Sequence, residues 1–209
     1  MALANSLSLQ SALKQFELKY IGSDLVFPTV LPALPPAATD FLEFLGKQLV
    51  RDADIARRNA SDQAKSSFVI APVLATLRQI HRVGLHMGVD FAKETSGNAD
   101  ANCDFLLTLS DELEIIEAPI LVVVQAKQSV MAAGVGRCVT EMVAAQRFNQ
   151  NSGLPPLPVF GCVTNGFAWR FLQLNEDTLK GDNAVEYPLR PTQVLMQRLY
   201  YTVAGGIML

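Results

Sequence analysis

Polar side chains stand where a strongly apolar stretch of the sequence ends. Residues 118–127, APILVVVQAK, are almost continuously apolar and β-branched, yet the stretch ends in Gln125 and Lys127. Side chains two residues apart in a β-strand project from the same face of the sheet. Asp104 directly precedes the earlier apolar run FLLTL. If the two runs form neighbouring strands, Asp104, Gln125 and Lys127 meet over one face at the strand ends.

An aspartate, an amide oxygen and a lysine in this arrangement can hydrolyse a phosphodiester. Carboxylate and amide oxygens suit hard cations such as Mg²⁺ or Mn²⁺. The metal lowers the pKa of a bound water and neutralises charge on the phosphate oxygens. A lysine can orient the attacking water and stabilise the developing charge. The pattern therefore predicts Asp104 and Gln125 as metal ligands and Lys127 as the water-orienting cation.

The elements that position these residues are helices followed by strands. Asp40 and Glu43 have the spacing of a capping box and begin a helix that we expect over 40–58. A second helical pattern surrounds Pro72, where the helix either kinks or begins anew. Three strands are then expected in sequence, within GVDFAKE, CDFLLTL and APILVVVQAK.

The second half of the chain returns to helix and then to strand. A helical period predicts a helix over 133–150. The dipeptide Asn165-Gly166 is a strong signal for a two-residue turn, which would join the strands VFGCVT and FAWRFLQL. A last helix is expected from Gln193 onward.

The order of these elements and three sequence segments resemble the PD-(D/E)XK nuclease superfamily. The chain is most similar to bacterial restriction-endonuclease-like proteins that combine a strand ending in (E/Q)AK, an EM-x-AAQ-x-FN helix and a TNG-x-x-W-x-F hairpin. The matching stretches are VVVQAK, EMVAAQRFN and TNGFAWRF, and the likeness spans roughly residues 60–200. The resemblance implies a restriction-endonuclease-like α/β core, with a central mixed β-sheet flanked by helices in the order αβββαβ.

The resemblance also implies roles for the residues at the strand ends. Asp104 matches the metal-binding aspartate of the superfamily, Gln125 its (D/E) position and Lys127 its lysine. A glutamine at position 125 can offer a carbonyl oxygen to Mg²⁺, but it lacks the charge of a carboxylate. We therefore expect weaker metal binding than at a site with two carboxylates.

Two further site residues are implied by the same resemblance. Gln146 matches a helix glutamine that lies beside the active site in many members, although a structural hydrogen bond would equally explain its inward position. An acidic residue on the first core helix often completes the metal site, and Asp62 is the candidate, or Gln63 if the register is shifted by one. Next to Ser61, Asp62 also fits a simple helix-start acid.

Two functions follow from these residues. The first is an endonuclease that hydrolyses DNA, in preference to RNA, with Mg²⁺ or Mn²⁺; the retention of Asp104, Lys127 and Gln146 favours it. The second is a catalytically inactive module of the nuclease fold that binds nucleic acid or assembles with proteins; Gln125 and the acidic pI near 5.4 favour it. Because the chain is short, we expect a partner or a homodimer to supply target specificity.

The composition sets the general class of the protein. Of its 209 residues 50% are apolar and only 18% are charged, which predicts one large core. We expect an N-terminal arm and proline-rich connector over residues 1–39 and a single domain over residues 40–209. No apolar stretch reaches the length of a membrane span, and no signal peptide is evident, so we expect a cytoplasmic protein that does not contact membranes. The net charge of −3 restricts any nucleic-acid surface to a local one.

Overall fold

In the part of the chain that the structure describes, eight strands form a central mixed β-sheet. The structure, a computed structural model, describes residues 8–22, 26–59, 61–90, 102–126, 131–182 and 185–205. The strands are β1 (Lys19–Ile21), β2 (Gly84–Asp90), β3 (Asn102–Thr108), β4 (Ile120–Ala126), β5 (Val159–Thr164), β6 (Ala168–Asn175), β7 (Thr178–Gly181) and β8 (Tyr187–Pro188). They lie in the order β1-β7-β6-β5-β4-β3-β2, and β8 pairs with β6 beside this series.

Helices pack on both faces of this sheet. They are α1 (Leu9–Gln15), α2 (Ala38–Asn59), α3 (Asp62–Lys65), α4 (Ala71–His81), α5 (Met131–Asn151) and α6 (Thr192–Ala204), with a π-helical turn, Ser66–Ile70, between α3 and α4. The core on one face includes side chains of α2, α4 and α6. The core on the other face includes side chains of α1 and α5. The predicted α/β class, a mixed sheet flanked by helices, is therefore confirmed.

The central strand β4 is buried along its whole length, as its apolar sequence predicts. It runs antiparallel to β3 and parallel to β5. A parallel pair needs a crossover connection, and α5 provides it. Because of this topology, α5 begins after the carboxyl end of β4 and runs back across the sheet. None of the described helices combines the length and apolar character that crossing a membrane requires.

Most predicted elements are confirmed. The helix expected over 40–58 is α2, the helix over 133–150 is α5, and the last helix is α6. The predicted hairpin is formed by β5 and β6, but residues 165–167 join the strands, so β6 begins one residue later than the predicted two-residue turn requires. Gly166 has a φ of +85° that glycine adopts without strain. Pro72 lies in the first turn of α4, where its missing N–H is tolerated.

The strand predicted from GVDFAKE begins earlier than expected. In the structure β2 starts at Gly84, and residues 91–94 of the predicted run lie outside the described part of the chain. The segment GLHM carries no β-branched residue, so its own sequence favours a strand only weakly. Its conformation follows from pairing with β3, in which His86 aligns with Leu106.

The N-terminal arm contributes to the sheet. Lys19 of β1 aligns with Thr178 of β7 in a parallel pair. Ala12 of α1 is fully buried in the core beneath α5. The N–H of Val26 donates a hydrogen bond to the carboxylate of Asp182, which is itself buried. The described parts of the arm therefore pack on the same sheet as residues 40–205.

Candidate active site

Asp104 and Gln125 lie beside each other on the face of the sheet that α5 covers. Phe105 of β3 aligns with Val124 of β4 in an antiparallel pair, so the next residues outward, Asp104 and Gln125, face each other and share one side of the sheet. Asp104 Oδ2 accepts a hydrogen bond of 2.7 Å from the main-chain N–H of Ala126. The main chain of β4 thus fixes the orientation of the Asp104 carboxylate.

Glu141 of α5 completes this cluster, and the sequence reasoning missed it. Its side chain is fully buried. Gln125 Nε2 donates to Glu141 Oε1 and Oε2, both at 2.8 Å. Arg137, one helical turn earlier, donates from Nε to Glu141 Oε1 at 3.1 Å. We call Asp104, Gln125 and Glu141 the acid–amide cluster. The amide of Gln125 and the guanidinium of Arg137 hold Glu141 over the strand ends.

The electrostatics of the cluster centre on Glu141. Burial raises the pKa of Glu141 to about 8, because the ionised form loses its hydration. The charge of Arg137 and the two side-chain hydrogen bonds lower this pKa, whereas the nearby charge of Asp104 raises it further. A cation among these oxygens would favour the ionised carboxylate. The buried carboxyl group of Glu141 is therefore suited to a site that binds a cation.

The donor atoms of the cluster fit a hard metal ion by type. Two carboxylates and one amide offer only oxygen, which Mg²⁺ and Mn²⁺ prefer. Across the described part of the chain, however, no group of three or more histidine, cysteine, aspartate or glutamate side chains could hold a metal ion. A metal at this position would rest on Asp104, Glu141 and the amide oxygen of Gln125.

The predicted site residue Gln146 lies elsewhere. Its amide group donates to the main-chain oxygen of Glu176 at 3.2 Å and accepts from the N–H of Glu176 at 3.0 Å. Glu176 directly follows β6. Because β6 is antiparallel to β5, Glu176 lies at the opposite end of the strands from Gln125. Gln146 also lies five residues beyond Glu141, about 7.5 Å further along the helix axis. The structure therefore gives Gln146 a structural hydrogen-bonding role and does not bring it to Asp104 and Gln125.

Asp62 and Gln63 occupy the first turn of α3. Both are exposed. The Oγ of Ser61 accepts from the N–H of Ala64 at 3.1 Å and caps the helix, so Asp62 has the position of an acid favoured by the helix dipole. Gln63 Nε2 donates to Ser67 Oγ at 3.3 Å. These contacts give Asp62 and Gln63 structural roles at the start of a helix.

Lys127 is the remaining predicted residue, and it lies outside the described part of the chain. The proposed pair of Asp104 and Gln125 is thus observed, while the position of the lysine stays a prediction. Comparisons of the chain with protein-family models, with curated proteins and with solved structures give no match. The interpretation of the site consequently rests on its own residues.

Proposed function

We propose that the protein is a metal-dependent nuclease that hydrolyses phosphodiester bonds in DNA, built on a restriction-endonuclease-like core. The observation that supports this function best is Glu141, a fully buried carboxyl group beside Gln125 and Asp104 at the end of the otherwise apolar strand β4. Burying a carboxyl group is unfavourable unless its surroundings compensate, and perturbed acids of this kind concentrate at functional sites. Glu141 also supplies the second negative charge that Gln125 lacks.

The topology agrees with this proposal. The series α4, β2, β3, β4, α5, β5 has the expected order αβββαβ. Within it β2, β3 and β4 are antiparallel neighbours, and β5 adds in parallel to β4. This arrangement places the acid–amide cluster between the ends of two adjacent strands and a helix, which is a rigid support for a catalytic site.

In this proposal, Asp104, Glu141 and Gln125 hold a Mg²⁺ or Mn²⁺ ion. When bound, the ion would supply Lewis acidity to a water and to the phosphate. Arg137 favours the ionised form of Glu141 through its ion pair. The N–H of Ala126 orients the carboxylate of Asp104. Lys127, which follows β4 in the sequence, is the proposed cation for the attacking water.

The test is hydrolysis of plasmid, linear and single-stranded DNA and of RNA, with Mg²⁺, Mn²⁺ or EDTA. We expect metal-dependent cleavage of DNA that falls at least 100-fold in Asp104→Asn, Glu141→Gln and Lys127→Ala. The exposed residue Glu186 provides a matched control, and Glu186→Gln should cleave like the wild type. Cleavage that persists in Asp104→Asn and Glu141→Gln would exclude the acid–amide cluster as the active site.

A second candidate function is the catalytically inactive module, and one observation favours it. Both carboxyl oxygens of Glu141 are hydrogen-bonded within the chain, and so is Oδ2 of Asp104. Groups of the protein itself therefore already contact three of the oxygens that a metal ion would need. Calorimetric titration with Mg²⁺ and Mn²⁺ separates the two functions: the nuclease binds metal and loses this binding in Glu141→Gln, whereas the inactive module binds none.

A further inference from the structure

A groove of about 600 Å³ runs along the outer edge of the sheet, far from β5 and β6. It lies between β2 and the segment that follows β3, and its lining consists of Leu85, His86, Met87, Val89 and residues 113–116. β2 is the last strand of the series, and in the described part of the chain its partner is β3 alone. The groove therefore lies against an edge strand of the sheet.

The groove exposes large apolar side chains. Met87 is 56% exposed, Leu113 50% and Ile115 60%. Single exposed apolar residues are ordinary, but several around one concave surface typically mark an interaction site. The surface thus offers apolar contacts to something that fits beside the strand.

His86, which lines the groove, also carries a buried polar atom that lacks a hydrogen-bond partner within the described residues. His86 is only 6% exposed, and its Nε2 makes no hydrogen bond with any group in the described part of the chain. A buried ring nitrogen without a partner costs free energy. A ligand that brings a hydrogen-bonding group to this nitrogen would remove that cost.

Residues 111–117, which include the lining residues 113–116, form an acidic segment that we call the acidic rim. Asp111, Glu112, Glu114 and Glu117 are all exposed within seven residues. Asp111 is paired with Arg82 at 2.8 Å, which leaves three carboxylates of the segment outside that pair. Such a rim repels nucleic acid and attracts cationic groups.

We propose that this groove binds an extended segment of another protein, in which an apolar residue is flanked by lysine or arginine, as an added strand on the edge of β2. An unpaired strand edge is a template for such an addition. The apolar residue would contact Met87, Leu113 and Ile115, and the basic residues would face the acidic rim. A second copy of this chain fits less well, because two acidic segments would approach each other.

Fluorescence anisotropy with two labelled peptides, KKVLVKK and EEVLVEE, tests the proposal. We expect the basic peptide to bind at least tenfold more tightly than the acidic one. Ile115→Gln should weaken its binding at least fivefold, and Glu114→Lys should reduce the preference for the basic peptide. Val30, which is 82% exposed elsewhere, gives the control Val30→Gln, for which no change is expected. Binding should also shift the ¹⁵N resonance of His86 Nε2.

Two results would overturn the proposal. One is equal binding of both peptides, or unchanged binding in Ile115→Gln when circular dichroism shows that the variant is folded. The other is a dimer in sedimentation velocity that dissociates in Ile115→Gln, since the occupant would then be a second copy. Because the measurements need neither metal nor DNA, the outcome is independent of the proposed nuclease activity.

Discussion

A single amide nitrogen, Nε2 of Gln125, donates to both carboxyl oxygens of Glu141 at 2.8 Å. The contact joins β4 to the middle of α5 inside the core. An amide in this position tolerates either protonation state of Glu141, because it donates through its nitrogen and accepts through its oxygen. A carboxylate at position 125 would not have this property.

The stability of the variant Gln125→Glu should therefore depend on bound Mg²⁺ more than the stability of the wild type does. Two carboxyl groups in contact repel each other when both are ionised. Above the pKa of Glu141, which is about 8, we therefore expect the variant to lose about 1–3 kcal/mol of unfolding free energy in EDTA. Mg²⁺ should then raise its thermal unfolding temperature more than that of the wild type, because only the folded state holds the ion. The measurement is thermal unfolding with and without Mg²⁺. An identical metal response in both proteins would contradict the proposed ligand set.

Glu141 should make the wild type less stable as the pH rises. Its pKa in the folded state, about 8, lies above that of an exposed glutamate. Between pH 5 and 8 the folded state therefore binds more protons than the unfolded state, and stability falls with increasing pH by up to about 1.4 kcal/mol per pH unit. Urea unfolding in EDTA at several pH values should show this slope in the wild type and a reduced slope in Glu141→Gln. The exposed control Glu186→Gln should retain the slope of the wild type.

Asn149 should be a major contributor to stability. It is buried, its Oδ1 accepts from the N–H of Ile120 at 2.7 Å, and its Nδ2 donates to the oxygen of Ile120 at 2.9 Å. Asn149→Ala leaves both main-chain groups of Ile120 without these partners, so we expect a loss of about 2–3 kcal/mol in chemical denaturation. Asn59, whose amide donates to Ile55 on the surface, provides the control Asn59→Ala, with an expected change below about 0.5 kcal/mol.

The sequence predicts elements with strong local patterns and fails where burial depends on distant parts of the chain. The continuous apolar run of β4 and the turn at Asn165-Gly166 are local signals, and both elements are found. β1, β7 and β8 contain only two to four residues each, and long-range pairing defines them. Strands this short carry too few residues for a periodic pattern.

Glu141 was missed for a related reason. It falls away from the stripe formed by Val135, Val139 and Met142, so a helix with one buried face would expose it. In the structure residues 141–146 are all buried. The core around α5 also contains Ala12 of α1, from the other end of the sequence. An acidic residue at a position that tertiary packing buries cannot be distinguished from a solvent-facing one by periodicity alone.

Gly161 of β5 should be essential for the close packing that places Glu141. A Cβ atom at this position would lie 2.3 Å from Sδ of Met142 and 2.8 Å from Sγ of Cys138, both on α5. Gly161→Ala therefore requires the side chains of Met142 and Cys138 to shift, and we expect a loss of about 1–3 kcal/mol in urea unfolding. Because both residues lie on the helix that carries Glu141, the variant should also lower cleavage if the proposed nuclease site is correct. Gly46 of α2 has no atom within 4 Å of such a Cβ, so Gly46→Ala should stabilise the protein by about 0.5–1 kcal/mol. Equal effects of the two substitutions would contradict the close contact between β5 and α5.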